Sequence, residues 1–163
     1  MDNMDIKMNY TNAEEHVGVA ERNNRTLKEA FREMLHRSGY GTIPRAMIIA
    51  LGEYMAEYYN MFPTKHGISE YYSPNMLVAQ KVLDYEKHCQ HEFGEYVQAM
   101  HENDPTNVMT ECSIDGIYLH PNTNQQGGHI IMNINTGKII TRGHVVTVPL
   151  SKAIKDAVKQ MDS

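Results

Sequence analysis

The chain has 163 residues, 41% of them hydrophobic and 21% charged, which excludes a disordered polypeptide and leaves room for one ordinary domain or two small ones. Fifteen Lys and Arg stand against twenty Asp and Glu, and the net charge of −5 argues against strong, autonomous nucleic-acid binding. No apolar run reaches transmembrane length, MDNMDIKMNY is too polar for a secretory leader, and Cys89 and Cys112 read as free thiols of a reducing compartment.

Residues 1–17 are polar. Ile6, Met8 and Tyr10 alternate with the period of a short strand, and Thr11 to His16 follow as a loop. Asp2 and Asp5 read as an acidic terminus in solvent. The clearest helix comes next, in GVAERNNRTLKEAFREML, predicted from Ala20 or Glu21 to Arg37. Its apolar residues Leu27, Phe31, Met34 and Leu35 recur as on a half-buried helix. Glu21, Arg25, Lys28 and Arg32 recur at offsets of four, three and four and share one face, roughly opposite the apolar stripe. One carboxylate therefore begins a ridge of three cations. From periodicity alone such a face reads first as a solvated helix with ordinary i,i+4 pairs; it also suits a metal ion at its acidic end and phosphates along the rest. From Arg22 to Arg45 there are six Lys and Arg and only two acids, Glu29 and Glu33, so a local basic patch coexists with the negative total. Arg32 and Arg37 read as solvated cations.

His36, Arg37, Ser38 and Gly39 supply a helix stop, a basic last turn with glycine beyond it. A second helix is predicted from Pro44 to Asn60 with Met47, Ile48, Leu51, Met55, Tyr58 and Tyr59 on its apolar face, Thr42 as its cap and Pro63 ending it. Residues 64–91 connect, with Pro74 opening a short helix through Val78. His88-Cys89-Gln90-His91 has metal-ligand residue types but no fourth spaced ligand, so ordinary packing or surface use is its reading. From about Glu92 the period changes to that of strands. These are expected at 93–99, Ile114 to Leu119, His129 to Ile134, and once or twice between Lys138 and Pro149, with Asn135-Thr136-Gly137 as a turn. Ser151 to Met161 is the last helix, capped by Ser151; its narrow apolar face is read as docking on the strands, with binding to an acidic surface as the alternative.

The run EHVGVAERNNRTLKEAFREML also resembles the segment around the third catalytic acid of integrases from copia-type (Ty1/copia) retrotransposons. That family shares a pattern close to NGVAERxNRTLxExxRxML. Gly18, Val19, Ala20, Glu21, Arg22, Asn24, Arg25, Thr26, Leu27, Glu29, Arg32, Met34 and Leu35 match it; His16 and Val17 depart from it. Further on, Asn60 and Pro63 match the family's NRxP helix ending, with Met61 in place of the arginine. Phe93-Gly94-Glu95-Tyr96-Val97 is similar to its FGCxxYV segment, with Glu95 where the cysteine commonly sits. Gly116-Ile117, Thr136-Gly137-Lys138, Arg142 and Val145 carry a looser match to the segment that follows.

The resemblance implies an α+β fold. Residues 1–63 would be the C-terminal helices of an RNase H-like integrase core, 64–91 a connection, 92–149 a small SH3-like β-barrel and 150–163 a terminal helix. It makes Glu21 the last acid of a D,D-E triad, and so both a catalytic residue and a metal ligand. Asn24, Arg25 and Lys28 would be the residues that meet DNA. Strand transfer needs two divalent ions, Mg²⁺ or Mn²⁺, which one glutamate cannot hold. Asp2 and Asp5 sit too close to Glu21 to be the other two acids. The expectation is therefore a truncated, integrase-like protein, inactive by itself, with no tightly bound ion and weak, non-specific affinity for DNA. Its other partners would be the remainder of an integrase or polyprotein, or a second copy, in the nucleus or cytoplasm and away from membranes. The alternative is an inactive protein-interaction fragment of a retrotransposon polyprotein.

Overall fold

The computed structural model describes residues 18–63, 69–100, 113–122 and 127–161. The strand expected at 6–10, Asp2, Asp5 and Cys112 lie outside them. The order is α1 (Gly18–Ser38), α2 (Arg45–Met61), α3 (Pro74–Ala79), α4 (Tyr85–His88), β1 (Tyr96–Met100), β2 (Ser113–Pro121), β3 (His129–Asn133), β4 (Ile139–Arg142), β5 (Val145–Thr147) and α5 (Lys152–Gln160). The fold is α+β, with a five-stranded antiparallel sheet in the order β4-β3-β2-β1-β5.

The sheet is open, which corrects the expected SH3-like barrel. A barrel needs its two outer strands to share a ladder. Here β4 pairs only with β3, and β5 pairs only with β1. The two outer strands are four and three residues long, and Gly143-His144 between them sends the chain across to β1 instead of back along β4. Strands this short leave two separate edges.

α1 ends as its composition dictates. Gly39 takes the left-handed conformation, with φ of 71°, and its N–H returns to the His36 carbonyl at 3.4 Å. Ser38 Oγ donates to the Leu35 carbonyl at 2.7 Å. Lys155 of α5 reaches the same end: its Nζ lies 3.2 Å from where a Cβ on Gly39 would stand. A cation there complements the negative end of the helix. Arg37 is not simply solvated, since it bonds Glu92 at 2.9 Å, just before β1. Both side chains are more than half exposed, so this pair orients more than it stabilises.

α2 buries Met47, Ala50, Leu51, Met55 and Met61, spaced as one helical face. Each large side chain contributes about 1.5–3 kcal/mol relative to exposure. Ile48 and Tyr58, expected on that face, are substantially exposed instead. Thr42 does not cap this helix; Pro44 occupies the cap position and its carbonyl accepts from Met47 and Ile48. Capping follows the expected chemistry elsewhere. Ser73 Oγ accepts from Met76 N ahead of Pro74, and Ser151 Oγ accepts from Ile154 N.

One core joins α2, Phe93, the Ile117, Leu119, Met132 and Ile134 face of the sheet, and Val158 of α5. It crosses the expected division between residues 1–63 and 92–149. The other sheet face carries Val97, Ala99, Tyr118, Ile131 and Val145. Because both faces are covered, β2 is buried continuously from Gly116 to Pro121. Its register shifts between Tyr118 and His120.

Candidate nucleic-acid interface

α1 is seated by its C-terminal half. Leu27, Ala30, Phe31, Met34 and Leu35 pack partly buried against the core. Ahead of them, every described side chain from Gly18 to Thr26 is exposed, so the first two turns project beyond the packed part of the molecule. The N-terminal positive end of the helix lies there, and Glu21 in the first turn complements it.

Glu21, Asn24, Arg25 and Lys28 are all exposed on this projecting half. At 100° per residue Glu21, Arg25, Lys28 and Arg32 fall within a narrow arc, and Asn24 lies about 60° to one side. The arc is about a quarter-turn from the apolar stripe, not opposite it, because Leu27, Phe31, Met34 and Leu35 average to that angle. Asn24 lies on the stripe's side of the arc. The axial rise from Glu21 to Lys28 is about 10 Å, so the acid and two cations form a row open to a long, charged partner. Such cations meet phosphates in positions that supply affinity without base choice.

As a metal site the row is poor. Two-ion phosphoryl transfer needs several hard oxygen ligands in one place. Among the described residues, no three His, Cys, Asp or Glu side chains come together as a metal-binding group. His88-Cys89-Gln90-His91 does not converge. The His88 ring turns to the backbone of Asp84, 2.9 Å from its carbonyl, while His91 turns to Thr147 and Glu95. Cys89 is an exposed free thiol whose pKa is raised by partial burial.

The second sheet face holds a polar cluster with no signal in the sequence. Thr147 Oγ1 donates to Glu95 Oε2 at 3.0 Å, and His91 Nδ1 is hydrogen-bonded to Thr147 Oγ1 at 2.9 Å. The His91 ring lies 5.1 Å from both Tyr118 and His129 by ring centroids. His129 is buried, and its Nδ1 has no partner. Burial holds its pKa down, with His91 and His144 adding to the effect. His91, Glu95, Tyr118, His129 and Thr147 come from four separated segments, so no local spacing announces them. Their bonds tie the approach to β1 to the edge strand β5. On the other side of the sheet Tyr54 of α2 stacks on His120 at 5.9 Å, and burial pushes its hydroxyl up to about 12.

No family model, curated protein or solved structure matches this chain. No helix among the described residues is long and apolar enough to cross a membrane.

Proposed function

We propose that this chain is an integrase-like polypeptide of the copia-type retrotransposon kind that binds DNA weakly and without sequence choice along α1, and does not catalyse by itself. The observation that carries the reading is the exposed row Glu21, Arg25 and Lys28 on the projecting half of α1, within the stretch whose residues match the integrase pattern. In the complete family enzyme Glu21 would share Mg²⁺ or Mn²⁺ with two further acids. Along α1 the side chains that share its face are Arg25, Lys28 and Arg32. Arg25 and Lys28 neutralise phosphates, with Asn24 beside them as a neutral hydrogen-bonding group. The net charge of −5 works against them at long range, which keeps the affinity poor.

Fluorescence anisotropy on short duplexes at several salt concentrations tests this. The unaltered chain should show a negative slope of log affinity against log salt. Arg25→Ala with Lys28→Ala should lower the slope by roughly one unit per lost phosphate contact. Both positions are exposed, so the fold survives the change. An unaltered affinity and slope in the folded double variant would refute α1 as the interface. Complete absence of binding by the parent chain would favour the second reading, an interaction fragment. That reading draws on the exposed apolar side chains of α3 and α4.

A further inference from the structure

Seven of the twelve large apolar side chains exposed among the described residues lie between Tyr58 and Tyr85, which concentrates them in one part of the chain. Tyr71 is 85% exposed, Val78 86% and Val82 72%. Scattered apolar residues need no explanation, but a contiguous group does. Aromatic rings join its two ends. Tyr58 meets Phe62 at 4.8 Å and Phe62 meets Tyr85 at 6.1 Å, which carries the surface from the end of α2 to α4. Val82 and Met61 line one small cavity with Ser73 and Leu83, so the start of α3 and the approach to α4 lie against the same end of α2.

The region is also acidic. Glu70, Asp84 and Glu86 stand against Lys81 and Lys87 among its described residues, and Lys87 is paired with Asp84 at 3.3 Å. Glu70 precedes Tyr71, while Asp84 and Glu86 flank Tyr85. A tyrosine face beside a carboxylate favours an arginine or lysine. The chain carries the complement on α1. Arg22, Arg25, Lys28 and Arg32 are exposed there, beside an apolar stripe that is only half-buried. The first two turns of α1 project from the core, and an isolated helix of that length is marginal in water without packing.

We propose that the tyrosine-rich, acidic surface of α3 and α4 docks α1 of a second copy of this chain. The contact joins two different surfaces. Two copies can therefore exchange it reciprocally as a pair, or add head-to-tail in series. It depends on charge, so salt weakens it. Duplex DNA on α1 competes with it.

Sedimentation velocity on the full chain, over about two decades of concentration, reads the association. The weight-average sedimentation coefficient should climb with concentration and fall on adding salt. Tyr71→Ser, Val78→Ser and Tyr85→Ser together should weaken association about tenfold or more, since central aromatic contacts dominate such surfaces. All three side chains are exposed, and circular dichroism verifies the fold. Glu70→Arg with Glu86→Arg should weaken it, as should Arg22→Glu with Arg32→Glu. All four changes in one chain should restore it. A chain that stays monomeric throughout overturns the proposal. Unaltered association in the triple-serine variant, or no restoration in the four-fold swap, overturns it as well. The triple-serine variant leaves Arg25 and Lys28 in place, so duplex binding measured on it reports on the DNA reading separately.

Discussion

Tyr40→Phe tests the lock that sets α1 on the sheet. Tyr40 follows the stop of α1, is 8% exposed, and donates its hydroxyl to the Gly94 carbonyl at 2.9 Å. Gly94 is buried, and its own N–H is bonded to the Tyr118 carbonyl at 2.8 Å. Phenylalanine keeps the ring and its packing but leaves that carbonyl buried without its donor. An unsatisfied buried group costs about 1–3 kcal/mol, a large share of the roughly 5–15 kcal/mol that stabilises a domain. At about 2–4 °C per kcal/mol for a chain of this size, Tm should fall by about 2–12 °C. Urea unfolding followed by circular dichroism should show a lower midpoint and an unaltered m value. A loss below about 0.5 kcal/mol would refute the argument that this bond is made in a water-free site. The pH dependence gives a second reading. Burial raises the Tyr40 hydroxyl above the ordinary tyrosine range of about 10. A pKa higher in the folded state means that its stability is present below that range and is lost as pH rises through it. Tyr40→Phe should therefore reduce the alkaline loss, while Tyr54 and Tyr118, also raised by burial, retain part of it.

Gly94→Ala should destabilise by about 1–3 kcal/mol, because φ is 87° and the new Cβ would stand 3.0 Å from Ser38 Cβ; thermal unfolding measures it, and a neutral effect would refute the close approach. His129 has its pKa lowered mainly by burial, so it stabilises the fold above its unfolded value of about 6.5, and that stability is lost as pH falls below it. His129→Gln should flatten this acid limb in urea titrations from neutral pH downward; an unaltered limb would assign it to other groups. With Mg²⁺ or Mn²⁺ the purified chain should neither nick nor join duplex ends, and metal-dependent turnover lost in Glu21→Gln would show that the acid set is complete.

The helices were legible because their signals are local. Leu27, Phe31, Met34 and Leu35 recur at helical spacing, and Gly39 and Ser151 mark a stop and a start by their own chemistry. The strands were legible from the change of period after Glu92 and the turn at Asn135-Thr136-Gly137, within a residue or two at most ends. α4 was missed because its four residues are too short to show a period; it starts at the Asp84 cap, whose side chain accepts from Glu86 N at 3.1 Å. The candidate row on α1 was equally readable, since Glu21, Arg25 and Lys28 lie within two turns. What local patterns omit is which strand pairs with which, and that undid the barrel. Strands β4 and β5 carry strand-forming residues wherever they go, and only the path through Gly143-His144 sends β5 to β1 and leaves the sheet open.

Local neighbours a few residues apart set where the chain turns helical or extended, where α1 stops, and that a carboxylate and two cations share one helical face. Long-range packing instead brings α2, the sheet and α5 into one core, pairs Arg37 with Glu92, locks Tyr40 to Gly94, and gathers His91, Glu95, Tyr118, His129 and Thr147. Those contacts join residues up to more than fifty positions apart. Their selection depends on how surfaces fit once the whole chain has collapsed, which no local period encodes.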